Sequence, residues 1–253
     1  MGPAAASIGP EEIDTSVGLR RGRLSVARTL SKLGVCSYRE ACRWVAAGRV
    51  RVDGEPVLWP HRRIAPMRES ITVDGELVSR NPERLVVALN KHVGYITTRA
   101  DPGGRPTVYD LLAGLRRWVF PVGRLDRDTA GLLILTNDHE LGHALSLPER
   151  RVPKTYHARV RGLPTPEALS ALSEGVTLPS GNLTRPAEVR SLGVSRDGSA
   201  WLEIVLTEGK NRQLRRMCAT VGHDVLALAR VSVGGLALGD LPPGAWRPLT
   251  REE

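Results

Sequence analysis

Leu132-Leu133-Ile134-Leu135 restricts the fold more than any other stretch. Four aliphatic residues in a row, with Gly131 before them and Thr136 after, are the mark of a short buried strand. The residues just upstream, Arg124-Leu125-Asp126-Arg127-Asp128, alternate acids and arginines, with Gly123 and Gly131 at either end. A charged loop that feeds a core strand holds Asp126 at a fixed edge of the fold. There a carboxylate can be aimed at a substrate.

The 253 residues can hold one large domain or two smaller ones, and 41% hydrophobic residues suffice for a packed core. Only 4% are aromatic, so the core is aliphatic and any single tyrosine in a motif gains weight. The net charge is +9, which favours a polyanionic partner such as nucleic acid. The excess is concentrated: Gly22 to Arg63 carries nine cations against three acids. Cys36, Cys42 and Cys218 are odd in number and form no Cys-x-x-Cys, which argues against a disulfide framework or zinc ribbon and fits a reducing cytosol. The N-terminus has Glu11, Glu12 and Asp14 and no sustained apolar region, and no 18-residue apolar run exists. Neither a signal peptide nor a transmembrane helix is expected.

Residues 1–21, rich in Ala, Gly and Pro, are expected to be a disordered leader. Residues 22–78 read as a compact unit. Leu24, Ala27, Leu30 and Leu33 have helical spacing and Gly34 is a plausible stop; Ser37 precedes a second helix with Ala41, Trp44 and Val45 on one face, closed by Gly48. Arg49 to Gly54 alternates at period two and ends in Asp53-Gly54, a hairpin signal that Asp74-Gly75 repeats. Residues 79–84 form a polar linker with Pro82, and 85–253 read as mixed α and β. Leu85–Leu89, Tyr156–Arg161 and Trp201–Leu206 are expected strands. Val108–Leu115 and Asn211–Val221 are expected helices, the second ending at Gly222. Thr165-Pro166-Glu167 opens a further helix that Gly175 closes.

Gly123-Arg124-Leu125-Asp126, followed by Thr129-x-Gly131-Leu132-Leu133-x-Leu135-Thr136-Asn137-Asp138, resembles the catalytic segment of the RNA pseudouridine synthases that modify ribosomal RNA. The resemblance spans residues 23 to 250. It includes Asn90-Lys91-His92-Val93-Gly94-Tyr95, Asp101 to Thr107, Lys154-Thr155-Tyr156, Glu208 to Met217, and Leu241 to Arg247. His92 stands where the family usually has a proline. Ser37-x-Arg39-Glu40-Ala41 with Gly48 to Gly54 resembles an S4 RNA-binding module.

The resemblance implies an α+β chain: a small N-terminal S4-like α/β module, then a catalytic domain around a mixed, largely antiparallel sheet. It implies that Asp126 is catalytic and that Arg124 borders the gap left by a flipped nucleotide. It also implies that Tyr156 contacts the uracil, and that Arg215 is the cation that pairs with the catalytic aspartate. Lys91 joins these as a substrate-binding candidate, and Arg39, Arg43, Arg49 and Arg212 as RNA-binding candidates. The spacing of Arg212, Arg215 and Arg216 places them on one helix face. Isomerising uridine breaks an N–C bond and makes a C–C bond, so no cofactor or metal is expected. One carboxylate can serve as nucleophile or base, on a base withdrawn from its stack.

Two alternatives stand beside this reading. His139-Glu140-Leu141-Gly142-His143 fits the His-Glu-x-x-His pattern of zinc proteases, with Glu167 as a possible third ligand; zinc content discriminates it. The fold could also serve a non-catalytic RNA-binding protein, which would bind RNA without turnover. The expectation is a cytoplasmic monomer whose partner is ribosomal RNA, more specifically large-subunit RNA, with no membrane contact.

Overall fold

The computed structural model describes residues 22–80 and 83–253; the expected leader lies outside them. Contacts divide the chain into two compact units, Met1–Glu83 and Arg84–Glu253.

In the first unit, helices α1 (Val26–Lys32) and α2 (Tyr38–Ala46) follow the sequence signals closely. Ser25 Oγ accepts from Arg28 N and Ser37 Oγ from Glu40 N, each satisfying one otherwise orphaned donor. Gly34 and Gly48 follow the helix ends at φ of 65° and 73°, the left-handed geometry that glycine supplies without strain. Strand β1 (Leu24–Ser25) pairs with β4 (Arg63–Ile64). Strands β2 (Val50–Val52), β3 (Glu55–Pro56), β5 (Ile71–Val73) and β6 (Glu76–Leu77) form an antiparallel sheet in the order β3-β2-β5-β6. Both Asp-Gly turns have two consecutive positive φ values, 51° and 83° at Asp53-Gly54 and 51° and 87° at Asp74-Gly75. These are the primed turns whose twist matches a two-residue hairpin. Val26, Leu30, Val45, Val50, Ile64 and Ile71 are among the residues buried between helices and sheet.

Among the described residues of the second unit, nine strands form one sheet. They are β7 (Val86–Lys91), β8 (Phe120–Pro121), β9 (Ala130–Thr136), β10 (Lys154–Val160), β11 (Glu188–Val194), β12 (Ala200–Leu206), β13 (Val225–Val233), β14 (Leu236–Ala237) and β15 (Trp246–Pro248). The main order is β11-β12-β10-β13-β9-β7-β15; β8 pairs with β9 and β14 with β13. All these pairings are antiparallel except β13 with β9, which is parallel and only two residue pairs long: Ala229 with Ala130 and Arg230 with Gly131. The Leu132–Leu135 run is the middle of β9. Leu133 and Leu135 pack with Val87, Leu89 and Leu125; Leu132 and Ile134 pack on the other face with Ala88 and Val233.

Helix α3 spans His139–Ser146, α4 Pro166–Glu174 and α5 Gln213–Thr220. Thr165 caps α4, Pro166 opens it and Gly175 closes it. Leu172 of α4 and Leu214, Met217 and Cys218 of α5 join a core with Ala158, Leu202 and Ile204 of the sheet. One expectation fails. Residues 108–115 form no helix but a chain of tight turns, with Asp110 N bonded to Thr107 O, Leu112 N to Tyr109 O and Leu115 N to Leu112 O. The Asp110 carboxylate captures Thr107 N at 2.6 Å, and Gly114 turns left-handed at φ 84°. A short side chain competing for backbone donors, followed by a breaker, overrides the spacing. The apolar period was still meaningful, because Val108 and Leu112 are both buried. No helix among the described residues is long and apolar enough to cross a membrane.

Candidate active site

The loop between β8 and β9 carries Arg124, Asp126 and Asp128, and the rest of the site is built to hold that loop. Leu125 is buried, whereas Arg124 is exposed and Asp126 half-exposed. The buried leucine anchors the loop and leaves its charged neighbours outward. Thr97 grips the same residue twice: its Oγ1 donates to Leu125 O at 2.8 Å and accepts from Leu125 N at 3.2 Å. Gly94 N bonds Arg127 O at 2.8 Å, and Thr129 N bonds Asp126 O at 3.1 Å to close a turn.

Lys91 completes the clamp from below. It is fully buried, and its Nζ donates to Thr129 O at 2.7 Å and His92 O at 3.2 Å. Burial pushes its ammonium down to about 8, against the pull of Asp128 and Asp126. The expectation of direct substrate contact therefore does not fit Lys91, whose ammonium is spent on the loop backbone. His92 does not disturb this. A proline there would bias Lys91 toward an extended shape; pairing with Gly131 in the β7–β9 ladder delivers that shape instead.

The arginines are distributed differently from the expectation. Arg215 pairs not with Asp126 but with Asp128: its Nε lies 3.2 Å from Oδ2 and its Nη2 donates to the Asp128 carbonyl at 2.8 Å. Arg212 binds Asp128 through both Nη groups at 3.0 Å and lies 3.8 Å from Asp126. It does so from a left-handed backbone (φ 48°, ψ 33°) just before α5, which takes it off the regular helical face. Arg216 turns away to Asn211 Oδ1. The forked guanidinium of Arg212, with Arg215 beside it, holds the Asp128 carboxyl below the usual carboxylate range.

Tyr156 is half-buried between two core clusters, and among the described residues its hydroxyl has no hydrogen bond. Its position is informative. Across the sheet, Ile204, Tyr156, Arg230, Gly131 and Lys91 are successive register partners on five adjacent strands. Register partners share a face, so residues far apart in sequence meet in one row. Sequence reading missed Thr97, Asp128 as the arginine acceptor, and Arg230. Only Gly131, a glycine inside a strand pattern, signalled a close backbone approach.

The remaining RNA-binding candidates belong to the first unit. Arg39 and Arg43 are exposed on α2, one turn from each other. Arg49 is tied to Asp74 in an ion pair at 2.5 Å and lies over the Trp44 ring at 4.9 Å. The His-Glu-x-x-His segment is helical with Asp138 as its cap, but the His139 ring stacks on Phe120 at 4.6 Å. Among the described residues no group of three or more His, Cys, Asp or Glu side chains could hold a metal.

The family model described as RNA pseudouridylate synthase matches residues 85–220, more than half the chain. The chain belongs to the RNA pseudouridine synthases. An S4 domain model matches residues 26–69. An RNA pseudouridine synthase of Aquifex aeolicus is 36% identical over 90% of this chain and 91% of its own length. The ribosomal large subunit pseudouridine synthase B of Pseudomonas aeruginosa is 38% identical over 89% of this chain but 59% of its own length. A solved pseudouridylate synthase structure covers 90% of this chain and 97% of its own, with 27% identity and a TM-score of 0.62. The pseudouridine synthase is thus an isomerase with a front S4 domain, and its substrate is RNA.

Proposed function

We propose that this pseudouridine synthase converts a uridine of large-subunit ribosomal RNA, with Asp126 as the catalytic carboxylate. The observation that carries the reading is the loop itself. Lys91, Gly94 and Thr97 fix it from one strand end, while Arg212 and Arg215 fix Asp128 from the other side. Two residues before Asp128, Asp126 stays half-exposed; among the described residues its carboxylate accepts no hydrogen bond, and Arg212 lies 3.8 Å from it. A carboxylate that is held in place but not consumed is ready to act on a sugar.

In this reading the target nucleotide leaves its stack and its uracil lies beside Tyr156. Arg124, exposed and without an ion pair among the described residues, borders the space the base vacates. Arg212 reaches both acids, bonded to Asp128 at 3.0 Å and 3.8 Å from Asp126. Arg39 and Arg43 contact RNA phosphates from the S4 domain. The Pseudomonas aeruginosa relative supports the choice of large-subunit RNA.

Pseudouridine mapping of ribosomal RNA from cells lacking the gene, with add-back of wild type or Asp126→Asn, tests the proposal. The expected result is one site lost and restored by wild type alone. Restoration by Asp126→Asn would exclude Asp126 as the catalytic group, and an unchanged map would exclude ribosomal RNA as the substrate.

A further inference from the structure

Arg230 is 3% exposed, yet no carboxylate among the described residues pairs with it. Its one side-chain hydrogen bond runs from Nε to Leu132 O at 2.8 Å. The two Nη groups make none, and neither is among the fully enclosed polar atoms left unsatisfied, so both still reach accessible surface. A charge on which it bears is of the same sign. Lys154, half-buried with its Nζ on Val152 O, has its ammonium pushed down by burial and by Arg230. Burying an unpaired cation costs several kcal/mol. Arg215, whose side chain is also enclosed, avoids that cost through Asp128. In the protein alone Arg230 thus keeps two Nη groups without a partner at the edge of a nearly closed place, donors available to a ligand.

Its place in the row says which ligand. Arg230 lies between Tyr156 on one neighbouring strand and Gly131 on the other, and Gly131 begins five residues after Asp126. Breaking the bond from C1′ of the ribose to N1 of uracil sends the bonding pair to the base. This holds whether the carboxylate bonds to C1′ or acts as a base on the sugar. The detached uracil is an anion with its charge spread over N1 and the two carbonyl oxygens. When C5 then bonds to C1′, the carboxylate is released or the sugar regains its proton. The C5 proton leaves and N1 takes one up, so uridine and product are isomers and no co-reactant is needed.

We propose that Arg230 is a further catalytic residue, whose Nη groups hold the detached uracil anion through its carbonyl oxygens. Arg230 neither gains nor loses a proton. It supplies donors, fixed beforehand in a nearly dry place, to charge that appears only during the reaction. This rests on the reading that Asp126 and Tyr156 frame the target nucleotide.

The test has two arms. In the first, which needs no RNA, thermal unfolding of Arg230→Met and Arg230→Lys is compared with wild type. The Met variant is expected to match or exceed wild-type Tm, because an unpaired buried charge is removed. A fall of more than about 5 °C, set by the usual 2–4 °C per kcal/mol for a unit of this size, would make Arg230 structural and overturn the proposal. In the second arm, large-subunit transcripts made with uridine or with 5-fluorouridine are used in single turnover, followed by chromatographic separation and mass spectrometry of the digested nucleosides, because the uridine product has the same mass as its substrate. Fluorine withdraws electrons and stabilises the uracil anion by itself. Both variants should lose roughly 10²–10³-fold in the rate of base departure from uridine, with RNA affinity unchanged. The deficit should be at least about tenfold smaller on 5-fluorouridine, on the scale of one hydrogen bond to a charged group. Equal deficits on both RNAs, or a loss confined to affinity, would overturn the proposal. If wild type converts neither transcript, the ribosomal reading fails, while the stability arm still decides on Arg230.

Discussion

Replacing Gly131 by alanine should damage this protein more than almost any other single methyl group. A Cβ there would lie 2.2 Å from Arg230 O, 2.7 Å from Arg230 N and 2.9 Å from Arg230 C, all backbone atoms of the paired strand. Backbone cannot rotate away as a side chain can, so β9 and β13 would have to separate. Overpacking of this kind costs about 1–3 kcal/mol. The residue also sits at φ 99°, where an L side chain adds roughly 1–3 kcal/mol of strain. Together the expected loss is about 2–6 kcal/mol, against a total stability of about 5–15 kcal/mol. Gly123→Ala is the control. Its φ is 78°, but nothing lies within 4 Å of the added Cβ, so it carries the strain without the clash. Urea unfolding of both variants, read as the shift in midpoint at constant slope, separates the two contributions. Gly131→Ala should exceed Gly123→Ala by about 1–3 kcal/mol. Equal losses would refute the argument that backbone proximity dictates this glycine.

Three further outcomes are expected. Because Arg212 holds the Asp128 carboxyl below its unfolded value, the stabilisation it gives is present above about pH 4 and is lost as pH falls through the lower folded value. Asp128→Asn should therefore flatten the acid limb of Tm against pH below about pH 4; an unaltered limb would show that the pair contributes nothing. Lys91 has the opposite sign of effect: its folded value of about 8 lies below the unfolded value of about 10.4, so stability should rise with pH across that interval. Lys91→Met should abolish the rise, and persistence of the rise in that variant would assign it to another group. In RNA binding, engagement of about six phosphates by the S4 domain predicts a fall of roughly 10³-fold in affinity from 50 to 200 mM salt. Arg39→Ala and Arg43→Ala should each reduce the salt slope by about one, and Arg49→Ala by less, because Asp74 already holds its guanidinium. Equal slopes for all three variants would contradict that distinction.

Local chemistry was legible wherever one residue decides the backbone. The Asp-Gly turns, the Ser37 and Thr165 caps, and the buried β9 run all follow from rules spanning a few positions. The segment at 108–115 shows the limit. Its apolar spacing correctly marked what is buried, but Asp110 and Gly114 decided the backbone path. Asp126 was legible as a loop carboxylate next to a core strand. Its surroundings were not, because they depend on long-range pairing. Which acid Arg215 meets depends on how α5 approaches the loop 87 residues away, and on the left-handed turn at Arg212. Arg230 lies within an ordinary alternating strand, Val225 to Val233, and only its register against Gly131 and Tyr156 gives it meaning.

The two-pair parallel contact of β13 with β9 also has a mechanical consequence. It divides the sheet into a left panel, β11-β12-β10-β13, and a right panel, β9-β7-β15, each knitted by longer antiparallel ladders. Tyr156 and Arg230 ride on the left panel; Asp126 and Lys91 ride on the right. With so short a backbone ladder, the seam is held chiefly by side chains: Arg230 Nε on Leu132 O, and Arg212 and Arg215 on Asp128. Arginine side chains thus rivet the two panels where their backbones share least, and Gly131, lacking a side chain, is what lets those backbones meet at all.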